Sequence, residues 1–461
     1  MKIISSVSSQ IKVISKSKNP SDFFNNIPRK FADIIVFIPV FLFMFLPLYQ
    51  LINDFLFPTF HSTSFSDSVS GINNFALVLG IVFLIIYIGK LFASKQLSSI
   101  KSIAKYNIHN LLFTALLVMM ILSTLINGVT DYVVNGDSYR QESLLSFFLY
   151  FCFYYFCTSK INSKKLKTIL FYTLIVAGLC VAVCEMINFL ITPVLAFEYA
   201  SGPSAIYQNS NHYAYFITVN IMLSSVLFIK EKKYILKALC IISFVINTIV
   251  LILNDTFGCY IACLFGLIFA CIVLSITDKK FSKPAVFMLI IFILITVIMS
   301  LWFDTVLNNI ITLIKDIFKI SKKSENAGSA GTGRWKLWTY TMDYIKEKPV
   351  FGFGLEGMSG RLLTETNISD RPHNEFLQYS AFFGIPATVF YVAGILAIYL
   401  KALKNKYKLD IYAKASLITA FAYLVSSLFG NTMYYTTPYL FILLGIGTIQ
   451  NSETENTCIK A

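Results

Sequence analysis

The chain has 461 residues and a formal net charge of +14, with 56% hydrophobic, 16% aromatic and only 13% charged residues. Soluble domains carry about 25% charged residues, so a chain this poor in charge has too few to cover a soluble surface. A soluble enzyme, a disordered chain and a small secreted scaffold are excluded, and the expected class is an all-α polytopic membrane protein.

Residues 1–33 are polar and basic and lead straight into a full-length apolar run. They read as a cytoplasmic N-terminal segment, not as a cleaved signal peptide. Crossing ~30 Å of hydrocarbon takes ~17–25 helical residues. Twelve spans are expected, near 34–53, 75–93, 110–127, 143–158, 168–191, 212–229, 235–253, 257–276, 284–303, 376–400, 411–429 and 434–449. Spans 1–9 then fill 34–303, spans 10–12 fill 376–449, and 450–461 is a cytoplasmic tail. No internal repeat is evident.

Lysines set the orientation. Lys2, Lys12, Lys16, Lys18, Arg29 and Lys30 precede span 1, and basic groups recur in every second loop, such as Lys160, Lys164, Lys165 and Lys167. Apart from the long segment 304–375, the loops between them are bare or carry only Arg140. Positive charge stays on the cytoplasmic side, so both termini are expected there. The charge of +14 is this bias and gives no reason to invoke nucleic acid. Eight of the nine cysteines sit in apolar runs and Cys458 is in the tail. They read as small apolar residues, with no disulfide framework.

One external loop, 304–375, is far longer than the others. Loops of that length are usually functional or disordered. Leu307, Ile310, Ile311, Ile314, Ile317 and Phe318 recur at helical spacing, opposite Asn308, Thr312, Lys315 and Lys319. That pattern predicts a helix lying on the membrane surface. A Gly/Ser-rich linker (321–333) follows, then a second helix from Arg334 to about Lys348, stopped by Pro349. Gly352 and Gly354 mark bends where the loop would hinge.

The chain has 33 Lys but five Arg, and four of those five (Arg140, Arg334, Arg361 and Arg371) fall outside by this topology. Arg offers a planar fork that grips phosphate or carboxylate oxygens in pairs. The set is read as anion-binding; the alternative is surface charges paired with Glu356, Glu365 or Asp370. His is the side chain suited to proton exchange near neutral pH. His373, in Arg371-Pro372-His373-Asn374-Glu375, is the catalytic candidate. His212, after Asn209 and Asn211, is the next. His61 and His109 are read as structural. The His and Cys spacings form no metal site. Glu185 and Asn188, in the outer half of span 5, are either functional or hydrogen-bonded within the bundle.

Several of these stretches resemble the O-antigen ligase and O-antigen polymerase family. The stretches are Gly333-Arg334-Trp335 with Trp338, Pro349-Val350-Phe351-Gly352-Phe353-Gly354, His373-Asn374-Glu375, Phe383-Gly384-Ile385, and Tyr207 to His212. The resemblance covers roughly residues 200–400. It implies a glycosyltransferase that uses undecaprenyl-diphosphate-linked glycan on the external face of the cytoplasmic membrane, with no cofactor and no metal. Arg371, Arg334, Arg361, Arg140, Asn374, Asn211 and His212 would bind diphosphate or glycan, and His373 would act on the acceptor hydroxyl. A chain-length regulator and a flippase would be partners. The preferred reading is polymerisation of repeat units into a surface polysaccharide. The alternatives are ligation of the finished glycan to an acceptor and, in another class, a transporter of lipid-linked sugars. A transporter predicts charges deep in several spans and related halves, and the sequence has neither. One departure stands out. Where the family carries Ser-Arg at the outer start of the span at 257, this chain has Thr256-Phe257. Arg140, Arg361 or Arg371 would then have to supply the missing charge.

Overall fold

A computed structural model describes residues 15–17, 29–56, 65–93, 107–136, 141–161, 163–190, 205–207, 209–322 and 324–448. The described elements are helices, with no strand among them. In chain order they begin with α1 (Arg29–Leu56), α2 (Phe65–Ala93), α3 (Ile108–Asn127), α4 (Asp131–Asn135), α5 (Leu144–Lys160) and α6 (Lys164–Leu190). Next come α7 (Ser210–Lys230), α8 (Tyr234–Asn254), α9 (Phe257–Thr277), α10 (Ser282–Ser300), α11 (Thr305–Ser321) and α12 (Arg334–Glu347). The last are α13 (Ser359–Thr366), α14 (Glu375–Phe383), α15 (Ile385–Lys404), α16 (Ile411–Ser426) and α17 (Thr437–Gly447).

Among the described residues, eight helices are long and apolar enough to cross a membrane: α1, α3, α6, α7, α8, α9, α10 and α15. Shorter apolar helices occupy Asp67–Val82, Leu144–Thr158, Ile411–Ser426 and Thr437–Gly447. The twelve expected spans all overlap these segments. Helices dominate because a chain in hydrocarbon must satisfy its backbone N–H and C=O groups internally.

The centre of the bundle is α7, packed against α6, α8, α9 and α16. All but a few of its residues are buried, polar ones included. Thr218 Oγ1 donates to the Ala214 carbonyl and Asn220 Nδ2 to that of Phe216, each at 2.9 Å. Ser224 Oγ reaches Ser243 Oγ of α8 at 3.1 Å. Small and hydroxyl-bearing residues of this kind draw membrane helices close. On α10, by contrast, Phe287, Ile290, Leu294 and Val297 remain exposed, an apolar face suited to lipid.

Two expected spans are interrupted. Span 10 is split at Gly384 into α14 and α15. Gly384 has φ 92°, a conformation only glycine takes easily, and a Cβ there would strike the Val350 carbonyl. Pro386, in the first turn of α15, restarts the helix. Span 12 begins late: 428–436 is irregular, buried from Gly430 onward, and α17 starts only at Thr437, with Pro438 in its first turn. Hydropathy is continuous across the break at Gly384, so it did not reveal that one.

The segment between α10 and α14 holds α11, α12 and α13. The predicted apolar face of α11 (Leu307, Ile310, Ile311, Ile314, Ile317 and Phe318) is exposed. α12 spans Arg334–Glu347, as its pattern predicted. The short helices α4 and α13 were not foreseen. Phe353 N–H donates to the Ala381 carbonyl (2.8 Å), Gly354 N–H to that of Phe382 (2.9 Å) and Ile385 N–H to that of Pro349 (2.8 Å). Ser123 Oγ of α3 donates to the carbonyls of Phe351 (2.5 Å) and Phe382 (2.9 Å). The turn that carries Gly352 and Gly354 is therefore tied to α3 and α14.

Candidate functional site

His373 lies on the irregular stretch that leads into α14, at φ 51°. Four elements fix that stretch. Asn431 Oδ1 accepts the His373 N–H at 2.8 Å. Trp338 Nε1 of α12 donates to the Pro372 carbonyl at 2.9 Å. Glu375 N–H donates to the Ser427 carbonyl at 2.9 Å. Asn374 Oδ1 caps α14 by accepting the Leu377 N–H at 3.1 Å, and its Nδ2 donates to the Leu428 carbonyl at 3.2 Å. The helix is thus capped by Asn374, which leaves the His373 ring available for another role.

That ring lines a pocket of about 140 Å³ together with His212, Asn209, Asn211, Tyr215 and Asn431. Its Nδ1 is 3.5 Å from Asn431 Nδ2. The other wall is the start of α7. Asn209 Oδ1 caps that helix by accepting the Asn211 N–H (2.8 Å), and it also receives Asn211 Nδ2 (3.1 Å). His212 Nδ1 lies 2.6 Å from Tyr435 Oη. The segment 430–436 is held by Gln378 of α14, whose Nε2 donates to Thr432 Oγ1 (2.8 Å) and whose Oε1 accepts the Thr432 N–H (3.2 Å). Two histidines about 160 residues apart in sequence and three asparagines thus share one polar pocket.

The arginines separate into different environments. Arg371 is fully buried, paired with Glu142 at 2.5 Å and with Glu356, and its guanidinium lies over the Phe382 ring at 5.2 Å. Gln378 Nε2 and Tyr150 Oη also approach Glu142, at 3.5 and 3.4 Å. Arg361 is on the surface, bonded to Glu347 (2.7 Å) and Glu365 (2.8 Å) and stacked on Tyr344 at 4.3 Å. Those two carboxylates raise its pKa above the ordinary arginine value. Neither Arg371 nor Arg361 lines the histidine pocket. Arg140 and His61 lie outside the described residues. His109 is buried on α3, edge-on to Tyr154 at 6.5 Å.

Arg334 opens α12 after Gly333, which has φ 88°. Its Nη1 donates to Thr332 Oγ1 (3.2 Å) and to the Gly331 carbonyl (3.4 Å), while its buried Nε has no hydrogen-bond partner. Burial pushes its pKa below the ordinary arginine value, and Tyr215 and Cys259 lie close enough to interact with its charge. Tyr215 lines the histidine pocket, and Cys259 is in the first turn of α9. Arg334, not Arg140, Arg361 or Arg371, is the arginine whose charge interacts with Cys259 at the start of α9. The sequence could not reveal this, since about 75 residues separate Arg334 from that turn.

Glu185 is buried on α6, and its Oε2 has no hydrogen-bond partner. It does not line the histidine pocket. Among the described residues, no group of three His, Cys, Asp or Glu side chains could hold a metal ion.

Residues 242–392 match the family model described as O-antigen ligase. The match takes in most of α8, all of α9 to α14 and the first turns of α15, and so includes Arg334 and His373. It supports the O-antigen ligase and polymerase resemblance read from the sequence, and with it a ligase- or polymerase-type role in polysaccharide assembly. Together with the eight helices of spanning length, it makes this a multi-pass membrane protein. No curated protein matches the chain.

Proposed function

We propose that the chain polymerises undecaprenyl-diphosphate-linked oligosaccharide repeat units into a surface polysaccharide, at the external face of the cytoplasmic membrane. The observation that carries this reading is the pocket shared by His373, His212, Asn209 and Asn211, with Arg334 beside it. In this reading twelve helices cross the bilayer, both termini are cytoplasmic, and the segment 304–375 is external. Spans 1–9 and 10–12 form the membrane body on either side of that segment.

The chemistry follows from the charges. An acceptor hydroxyl attacks the anomeric carbon of the donor sugar while that carbon's bond to the lipid diphosphate breaks. The hydroxyl proton passes to His373, and the electron pair leaves with the diphosphate. Arg334, with an unpartnered buried N–H, meets the charge that develops on the leaving group. Asn211 and His212 orient the sugar hydroxyls. Arg371 acts at one remove: its bonds to Glu142 and Glu356 position the stretch that bears His373. The exposed apolar face of α11 rests on the membrane surface and keeps the loop over the site.

The competing reading is transfer of the finished glycan to a separate acceptor, and the family match fits it equally well. Deleting the gene and examining the surface polysaccharide separates the two. Single repeat units on the acceptor indicate lost polymerisation. Full-length polymer left on carrier lipid indicates lost ligation. An unaltered polysaccharide would overturn both. A flippase and a chain-length regulator are the partners this placement calls for.

A further inference from the structure

A second cavity, of about 450 Å³, lies between the start of α2, the α4 region and the start of α5. That volume falls within the ~300–1,000 Å³ of ordinary ligand pockets. Its wall includes Asn73, Asn74, Gln141, Ser146, Leu149 and Tyr434. Among the described lining residues Asp67 is the only charged one. Amides and hydroxyls both donate and accept hydrogen bonds, as sugar hydroxyls do. No Lys or Arg is among the described lining residues, and the wall's leucines give a sugar ring's C–H face something to rest on.

One wall group points to a ligand more directly. Asn73 is 7% exposed, and its Nδ2 donates to the Tyr434 carbonyl at 3.3 Å. Its Oδ1 is buried without a hydrogen-bond partner. Buried acceptors are nearly always satisfied, so an open one on a polar cavity calls for a donor from outside the chain. Ser70 Oγ holds Gln141 in place by donating to its Oε1.

The cavity is also joined to the histidine pocket. Asn431 lines the one and Tyr434 the other, in the same irregular segment between α16 and α17. The Tyr434 and Tyr435 rings pack edge-to-face at 4.8 Å, and Tyr435 Oη is 2.6 Å from His212 Nδ1.

We propose that this cavity is a subsite for uncharged sugar rings of the acceptor glycan, presenting its hydroxyl to the histidine pocket. The identity of the ligand rests on the function proposed above; the test does not require turnover. The probe is the delipidated repeat-unit oligosaccharide, hydrolysed from the cell's own surface polysaccharide. It is titrated into the purified full chain in lipid nanodiscs and followed by saturation-transfer NMR. The wild type and His373→Ala should bind equally well. Asn73→Leu removes the open acceptor, and Asn74→Trp, at an exposed position, fills the cavity without touching the core. Each should weaken binding about tenfold or more. Wild-type affinity in Asn74→Trp, no binding by the wild type, or displacement of the sugar by farnesyl diphosphate would overturn the subsite. An inactive His373 pocket would leave these binding results unchanged, so the two proposals fail separately.

Discussion

Arg371 Nη1 lies 2.5 Å from Glu142 Oε2, and both side chains are fully buried. The pair joins the start of α5 to the stretch that leads into α14, and Glu356 completes it from the other side of the guanidinium. Removing one partner of a buried ion pair leaves an uncompensated charge and costs about 3–5 kcal/mol. Arg371→Ala should therefore lower thermal stability in detergent and reduce the amount of folded protein, and activity should fall as a consequence. If Arg371 instead touched only the donor, the Ala variant would melt like the wild type and lose transfer alone. Fluorescence-detected size-exclusion after heating separates the two cases.

Arg334 should behave in the opposite way. Its bonds are to its own neighbours Gly331 and Thr332, so Arg334→Lys removes little that holds the fold. Lysine keeps the charge but not the planar fork. Hydrogen bonds to charged groups are worth about 1.5–3 kcal/mol, so transfer should drop about ten- to hundredfold with stability unchanged. Polymer length and yield in a complemented deletion strain measure this. Near-normal polymer would make Arg334 a surface charge.

The helices and the silence of the arginines have different causes. Long apolar runs are local, so the positions of the apolar helices and the amphipathic α11 could be read directly. The split at Gly384 could not, because hydropathy is unchanged across it. His373 and His212 were candidates separately, but only the fold brings them together. Arg371 looked like a phosphate ligand because its partner Glu142 is 229 residues away. The unused signal was Asn431-Thr432 with Tyr434-Tyr435, a polar and tyrosine-rich run at the head of an apolar span. Of these, Asn431 lines the histidine pocket and Tyr434 the second cavity.

Topology is directly testable. A reporter fused after Lys408 should read cytoplasmic, and one inserted in the linker 324–333 should read external. The reverse at either position would put the histidine pocket on the wrong face for a lipid-diphosphate glycan.

Glu365 ties α13 to α12 by accepting from Tyr344 Oη at 2.5 Å, and it also accepts from Arg361, one turn earlier in α13. The hydrogen bond from Tyr344, then that from Arg361, hold its pKa below the ordinary 4.5. A carboxylate depressed in the folded state adds stability above its unfolded pKa and loses it as pH falls through the folded one. Hydrogen exchange of 359–366 should therefore be flat from neutral pH down to about 4.5 and speed up below it, after correction for intrinsic rates. Glu365→Gln should show the faster exchange already at neutral pH. Equal protection in both proteins at pH 7 would count against the tie.

His373 offers the decisive substitution, because its surroundings separate two roles that sequence alone left entangled. Capping of α14 belongs to Asn374, so losing the imidazole costs no cap. The backbone of His373 sits at φ 51°, a region that asparagine adopts more easily than most residues. Its N–H bond to Asn431 Oδ1 is made by the main chain and survives any side chain but proline. His373→Asn therefore keeps the fold and the turn while removing the proton acceptor. General-base assistance is worth about 10²–10⁴-fold, so both the Asn and the Ala variants should leave only traces of glycan transfer at normal protein levels. Wild-type polymer from the Asn variant would move the proton-transfer role to His212, whose Nδ1 contact with Tyr435 leaves Nε2 as the nitrogen that would have to serve.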